Sequence, residues 1–247
     1  MHLRSARILG FLALAVAGIA SRSYADPITL PVGLAPGSQY RLVFVTEEFY
    51  NANDSNIADY NNEVNTEANG VAALAALGTT WLDIGSTSTV NAIDNIGQDT
   101  GVPIYNLDGQ LVADDATSSG LFAGSIQNPI DYNESGNLVG SNYLVWTGTR
   151  PNGTDFDPLG AGGGLSEQGE ANDASNIWIG LGDQFNTESF ALYGISGILT
   201  VPGSNTPEPS TIVMASLGGA ILLIALRRKK SSSPRESTTT RNYGYSS

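Results

Sequence analysis

The chain contains no cysteine. Disulfide staples, thiolate nucleophiles and thiolate metal sites are therefore excluded. Histidine is almost as scarce. His2 is the only one, and it stands in an N-terminal segment with the features of a cleaved leader. Between residues 26 and 209 there is no lysine, and the only basic residues are Arg41 and Arg150. Ser–His–Asp, Cys–His and Ser–Lys devices cannot be assembled from such a set. A Gly-x-Ser-x-Gly elbow, a P-loop and a His-Glu-x-x-His motif are absent as well. The glycine-rich "GAGGG" at 160–164 lacks the lysine and helix start that a phosphate cradle needs.

The shortage of basic residues is matched by a surplus of acid. Residues 26–209 hold 23 acidic side chains, all 24 of the chain except Glu236, for a formal charge of −21. The phosphates of nucleic acid would be repelled, so no nucleic-acid partner is expected. The imbalance favours solubility and association with divalent cations or basic partners. It also destabilises the compact state unless salt or bound cations screen it. About 180 residues suffice to bury a core without covalent staples.

Long apolar runs occur only at the two ends. Arg4 and Arg7 precede an apolar stretch, Ile8 to Ala20, which is followed by Ser23-Tyr24-Ala25. Basic start, short apolar core and small-x-small exit are the pattern of a secretory signal peptide. Cleavage by signal peptidase is expected between Ala25 and Asp26, with a cut after Ala20 as the alternative. Near the other end, Thr211 to Leu226 are apolar or small throughout. These sixteen residues make about 24 Å of helix. Ser210 and the snorkelling side chain of Arg227 extend that toward a bilayer core of roughly 30 Å. Pro207 and Pro209 place the start of the span at or after Pro209. Arg227, Arg228, Lys229 and Lys230 set a cytoplasmic C-terminus by the positive-inside rule.

Pro207-Glu208-Pro209-Ser210, the span and the basic cluster, in that order, resemble the PEP-CTERM sorting signal read by exosortases of Gram-negative bacteria. The resemblance implies cleavage near Pro-Glu-Pro by an exosortase and delivery to the cell surface or an exopolysaccharide matrix. Unlike family tails, which stop near the basic cluster, this chain continues for 17 polar residues, "SSSPRESTTTRNYGYSS". The expected organisation is a signal peptide (1–25), an extracytoplasmic domain (26–201), a linker (202–209), a transmembrane helix (210–226) and a basic cluster with a disordered tail (227–247).

Within the domain, "YRLVFVTEE" (40–48) is a strand with both faces covered. A helix follows, capped by Asp54 or Ser55, with Ile57, Tyr60, Val64, Ala68, Val71 and Leu74 in one apolar stripe. Gly70 is a point at which it can divide, and Gly78 stops it. "TTWLDIGS" is a short strand or turn entry. "GVPIYNLDGQLVAD" is a hairpin turning at Asp108-Gly109, and "NYLVWTGT" is a further strand. The stretch 150–176 is loop, with Gly160 to Gly164 flexible. "IWIGLGDQF" and "FALYGISGILTV" close the domain as β-prone segments. The sum is one α+β domain, its helix early and most strands late.

The order of a long helix, "STSTVNAIDNI", "GVPIYNLDGQLVAD…LFAGSIQNPI" and "VWTGTRPNGT" is similar to the endostatin domain of collagens XV and XVIII and to bacterial endostatin-like domains. The likeness spans roughly residues 40–195. It implies a C-type-lectin-like fold, Trp146 at the edge of the core and the Asn152-Gly153 turn on a surface loop. Trp81 and Trp178 are expected to pack in the core too. Endostatin's zinc site uses histidines, which the mature domain lacks, so zinc by that route is excluded. "WIGL" at 178–181 matches a C-type lectin signature but is read as a strand fragment.

No cofactor is certain from the sequence. Calcium is the candidate, because it takes carboxylate and loop-carbonyl oxygens. Asn152, Asp155 and Asp157, with Glu167, Glu170 and Asp173 beyond them, form the densest acidic grouping. The leading expectation is a non-enzymatic, exported binding or matrix protein with extracellular polysaccharide as a partner. The alternative is a glycan-processing hydrolase that uses two carboxylates. A third reading makes the domain a passive filler of the envelope.

Overall fold

A computed structural model describes residues 26–203. The signal peptide, Ala25 on the near side of the expected cleavage, and the sorting residues 207–210 and 227–230 lie outside the described residues. So does the span expected at 210–226. Among the described residues no helix is long and apolar enough to cross a membrane.

The organising element is β1 (Gln39–Val45). Its even-numbered side chains Tyr40, Leu42 and Phe44 enter one apolar cluster and Val43 and Val45 another, all of them buried. A strand buried on both faces must be central, and β1 is. Antiparallel β8 (Tyr193–Ser196) flanks it on one side and parallel β3 (Ile104–Asn106) on the other. The sheet runs β2 (Trp81–Asp83), β8, β1, β3, β4 (Leu111–Ala113), and β9 (Leu199–Thr200) pairs with the start of β1. A second, antiparallel sheet comprises β5 (Leu144–Trp146), β6 (Leu165–Glu170) and β7 (Gly182–Phe185). Few helices beside several strands in two sheets make the class α+β, and five of the nine described strands follow Tyr143.

Helix α1 (Ile57–Gly70) buries Tyr60, Val64 and Ala68 from the expected stripe. Its cap is Asn56, whose Oδ1 accepts from the Ala58 N–H at 3.2 Å, rather than Asp54 or Ser55. Asp54 is engaged instead with Tyr60: the Tyr60 hydroxyl donates to the Asp54 carbonyl at 2.8 Å. Gly70 ends the helix. Val71 takes an extended conformation and α2 (Ala72–Ala75) begins anew. A short α3 (Ala92–Ile96) follows β2.

The β3–β4 hairpin turns at Asp108-Gly109 as expected, with Gly109 at φ +77°. Asn106 Oδ1 accepts from the Asp108 and Gln110 N–H groups inside the turn.

Two expectations are corrected. The stretch after Gly160 is not all loop, because β6 begins at Leu165, and the Gly160 N–H is fixed on the Ala52 carbonyl at 2.8 Å. "WIGL" is not a strand. Asn176–Trp178 form a 3-10 turn and β7 starts only at Gly182.

All three tryptophans are core residues. Trp146 Nε1 donates to the Tyr50 carbonyl at 2.9 Å and Trp178 Nε1 to the Gly124 carbonyl at 3.1 Å. Trp81 packs edge-on against Phe44, ring centroids 5.1 Å apart, and its indole N–H has no acceptor.

Candidate functional site

The β6–β7 pair sets the site. Its register puts Leu165 opposite Phe185 and Glu167 opposite Asp183. Side chains alternate along a strand, so both pairs share one face. Ser166 and Gln168, on the other face, are buried. An antiparallel partnership of two carboxylates is unfavourable, because like charges stand directly across the ladder. A third acid, Asp157, joins them. Its carbonyl accepts the Glu167 N–H at 2.9 Å, which lays residue 157 alongside β6. Asp157 adopts φ +39°, a conformation in which aspartate is among the more tolerant side chains. One carboxylate oxygen from each of Asp157, Glu167 and Asp183 lies within 4.8 Å of the others.

The backbone of Glu167 is held from both sides, since its carbonyl accepts from the N–H groups of Thr147 and Gly148. The side chain is 4% exposed. Burial, and then Asp183 beside it, push the Glu167 carboxyl up to about 7. Asp157 is also raised, by partial burial and by Asp183. Among the described residues the only basic side chain that opposes this is Arg150, which favours the charged form of Asp157 and lies 4.5 Å over the Phe156 ring. Arg41 is committed elsewhere, buried and bonded to the carbonyls of Ser196 and Ile96 and to Asp99.

The expected calcium residues thus part company. Asp157 and Glu167 come together. Asn152 Oδ1 accepts from the Thr154 N–H and hydroxyl, closing the Arg150–Thr154 turn on the surface. Asp155 is exposed and its N–H is tied to Asn91 Oδ1. Asp173 Oδ1 accepts from the Ser175 N–H, and Glu170 pairs across from Leu144 on β5. Asp183 was not among the expected residues. It lies 26 positions from Asp157, in a segment read as apolar strand, and only the β6–β7 register brings it in.

Three carboxylates with one shared focus suit a hard cation. Calcium takes six to eight oxygens in irregular arrangements, so three protein ligands would leave positions for water or for hydroxyl groups of a ligand. Around the acids the surface is apolar: Phe185 is 64% exposed, and Phe156, Leu165 and Leu181 are each more than a third exposed. No protein-family model matches the chain, and no curated protein matches it significantly.

Proposed function

We propose that the chain is an exported, non-enzymatic surface or exopolysaccharide-matrix protein. In this reading its endostatin-like, C-type-lectin-like domain binds extracellular polysaccharide through a calcium ion on Asp157, Glu167 and Asp183. The signal peptide would be removed after Ala25, and an exosortase would read the Pro207–Ser210 motif, the following span and the Arg227–Lys230 cluster.

The observation that carries the binding role is the shared face of β6 and β7. There a like-charged pair that calls for a cation adjoins an exposed Leu165–Phe185 pair. Sugars present both chemistries, with vicinal hydroxyls that can complete a calcium shell and C–H faces that pack on an aromatic ring.

The test is a glycan array probed with the full-length chain in detergent, with calcium and with chelator. Saturable, calcium-dependent binding to acidic or hydroxyl-rich polysaccharide is expected, and Asp183→Asn or Phe185→Ala should each remove it. Binding indifferent to calcium, or retained by Asp183→Asn, would overturn the assignment.

A second reading draws on one observation. A carboxyl pushed up to about 7 beside another carboxylate is the arrangement that the general acid of a glycoside hydrolase would need. It predicts release of reducing ends from the bound polysaccharide and their loss in Glu167→Gln. A panel of glycans left uncut removes it.

A further inference from the structure

Two basic side chains stand among the 23 acids of residues 26–209, and only one of them is paired within the domain. Arg41 is buried on Asp99 and two carbonyls. Arg150 is exposed. Among the described residues its guanidinium donates no hydrogen bond and joins no ion pair, the one pair being Arg41 with Asp99. Its carbon lies 4.5 Å from the centre of the Phe156 ring. A ring face attracts the charge without using up the five N–H donors, which stay available to an acceptor from outside.

The backbone fixes this arginine beside the three acids. The Arg150 N–H donates to the Thr154 carbonyl and the Arg150 carbonyl accepts from Gly153, both at 2.8 Å. Gly153 is in turn buried against Ile93 and Phe122. At Gly180 an added Cβ would stand 3.5 Å from Pro151 Cδ, 3.7 Å from the Thr149 carbonyl oxygen and 3.7 Å from Glu167 Oε1. Both chain neighbours of Arg150 therefore meet the Glu167 carboxylate across one bare backbone position. Phe156, under the guanidinium, immediately precedes Asp157. A long arginine stem rooted there is within reach of whatever completes a cation shell on these acids.

We infer that Arg150 is the specificity-determining residue of this face, and that the ligand is an acidic sugar whose carboxylate bridges the calcium ion and the guanidinium. The inference rests on the calcium-dependent sugar binding proposed above. A planar carboxylate matches the guanidinium fork with two parallel hydrogen bonds. Its oxygens are also the hard ligands that calcium takes. The formal charge of −21 on residues 26–209 repels a polymer charged at every unit, so the carboxylates are spaced out along the ligand chain.

The probes are a soluble oligosaccharide alternating glucuronate with N-acetylglucosamine, its carboxyl-reduced neutral counterpart, and that neutral chain carrying sulfate instead. The full-length chain in detergent is titrated with each at saturating calcium, and again with chelator. The acidic form should bind at least about tenfold more tightly than the neutral one, the scale of hydrogen bonds to a charged group. Arg150→Gln should erase that preference, and Arg150→Lys, which keeps the charge without the fork, should retain only part of it. Calcium affinity measured without sugar should not fall in Arg150→Gln, because removing a neighbouring positive charge favours a bound cation. A fall would make the arginine a support of the site rather than a reader of the ligand, and overturns the assignment. Equal affinities for the acidic and neutral forms, a preference unchanged in Arg150→Gln, or sulfate bound more tightly than carboxylate overturns the inference while calcium-dependent binding stands. Binding indifferent to chelator, or no binding of any form, overturns the calcium-dependent reading and the inference with it.

Discussion

At Gly169 an added Cβ would stand 2.1 Å from the Trp178 carbonyl oxygen and 2.6 Å from its carbon. Both atoms are backbone, so neither can swing aside as a long side chain would. Gly169→Ala must push β6 away from the 3-10 turn that seats Trp178, and with β6 goes Glu167. The expected loss is roughly 2–3 kcal/mol, read as a fall in the urea midpoint, with calcium affinity falling alongside. A midpoint within error of the parent would show that β6 is not pinned there. Nothing in "LSEQGEAND" marks this glycine as different from those of "GAGGG", because the constraint comes from a residue nine positions later. The tryptophans were legible in sequence for the opposite reason. A large indole in a β-prone run has few places to go but the core, and Trp146 and Trp178 found the acceptors that burial demands.

Among elements, the contact of α1 with β2 shows most plainly what side chains add to a sheet. β2 is an edge strand, and its outward Trp81 and Asp83 N–H groups would be open to pairing with another chain. Asn65 and Asn61, one helical turn apart on α1, accept those two donors at 3.1 and 2.8 Å. Asn61 is itself locked to Asn95 of α3 by reciprocal amide bonds of 3.0 and 2.9 Å. Asn61→Ala leaves the Asp83 N–H and Asn95 Oδ1 without a partner, while Asn95 Nδ2 keeps the Asp83 carbonyl at 2.8 Å, which costs about 1–3 kcal/mol. Exposed Asn62→Ala, its neighbour, should stay within about 0.5 kcal/mol. Equal effects of the two in urea unfolding would refute the edge-cap role. The helix, β1 and the β3–β4 hairpin were readable because apolar spacing and turn residues specify them locally. β6 was not. Its Ser166, Glu167 and Gln168 are polar yet buried, held by backbone pairing to β5 and β7 rather than by an apolar pattern. The candidate site inherits that opacity: Asp157 and Glu167 could be picked out as acids on neighbouring loops, but Asp183 follows only from strand register.

For the molecule as a whole, charge decides. Glu63, Glu134 and Glu167 are each pushed up to about 7, burial being the first cause in every case, and complete burial raises Asp83 well above the ordinary carboxylate range. A carboxyl whose folded value exceeds its unfolded one favours the native state only while protonated. That stability is fully present below the ordinary carboxylate range, near 4.3 for glutamate, and is lost as pH rises through about 7. Repulsion within residues 26–209, of formal charge −21, acts in the same direction. Without divalent cations the Tm should therefore be higher at about pH 5 than at about pH 8, the reverse of a protein stabilised by salt-bridged carboxylates. Calcium should invert the trend. It binds the deprotonated groups and competes with their protons, so the Tm increment it produces should grow from acid to alkaline pH. Sodium chloride at equal ionic strength would screen surface repulsion but leave the buried carboxyls unmatched, and should recover only part of that increment. Thermal unfolding with calcium, with chelator and with sodium chloride across this range separates the terms. A chelated protein that gains stability as pH rises would contradict the charge argument at its root, and a calcium increment independent of pH would detach the cation from these carboxylates.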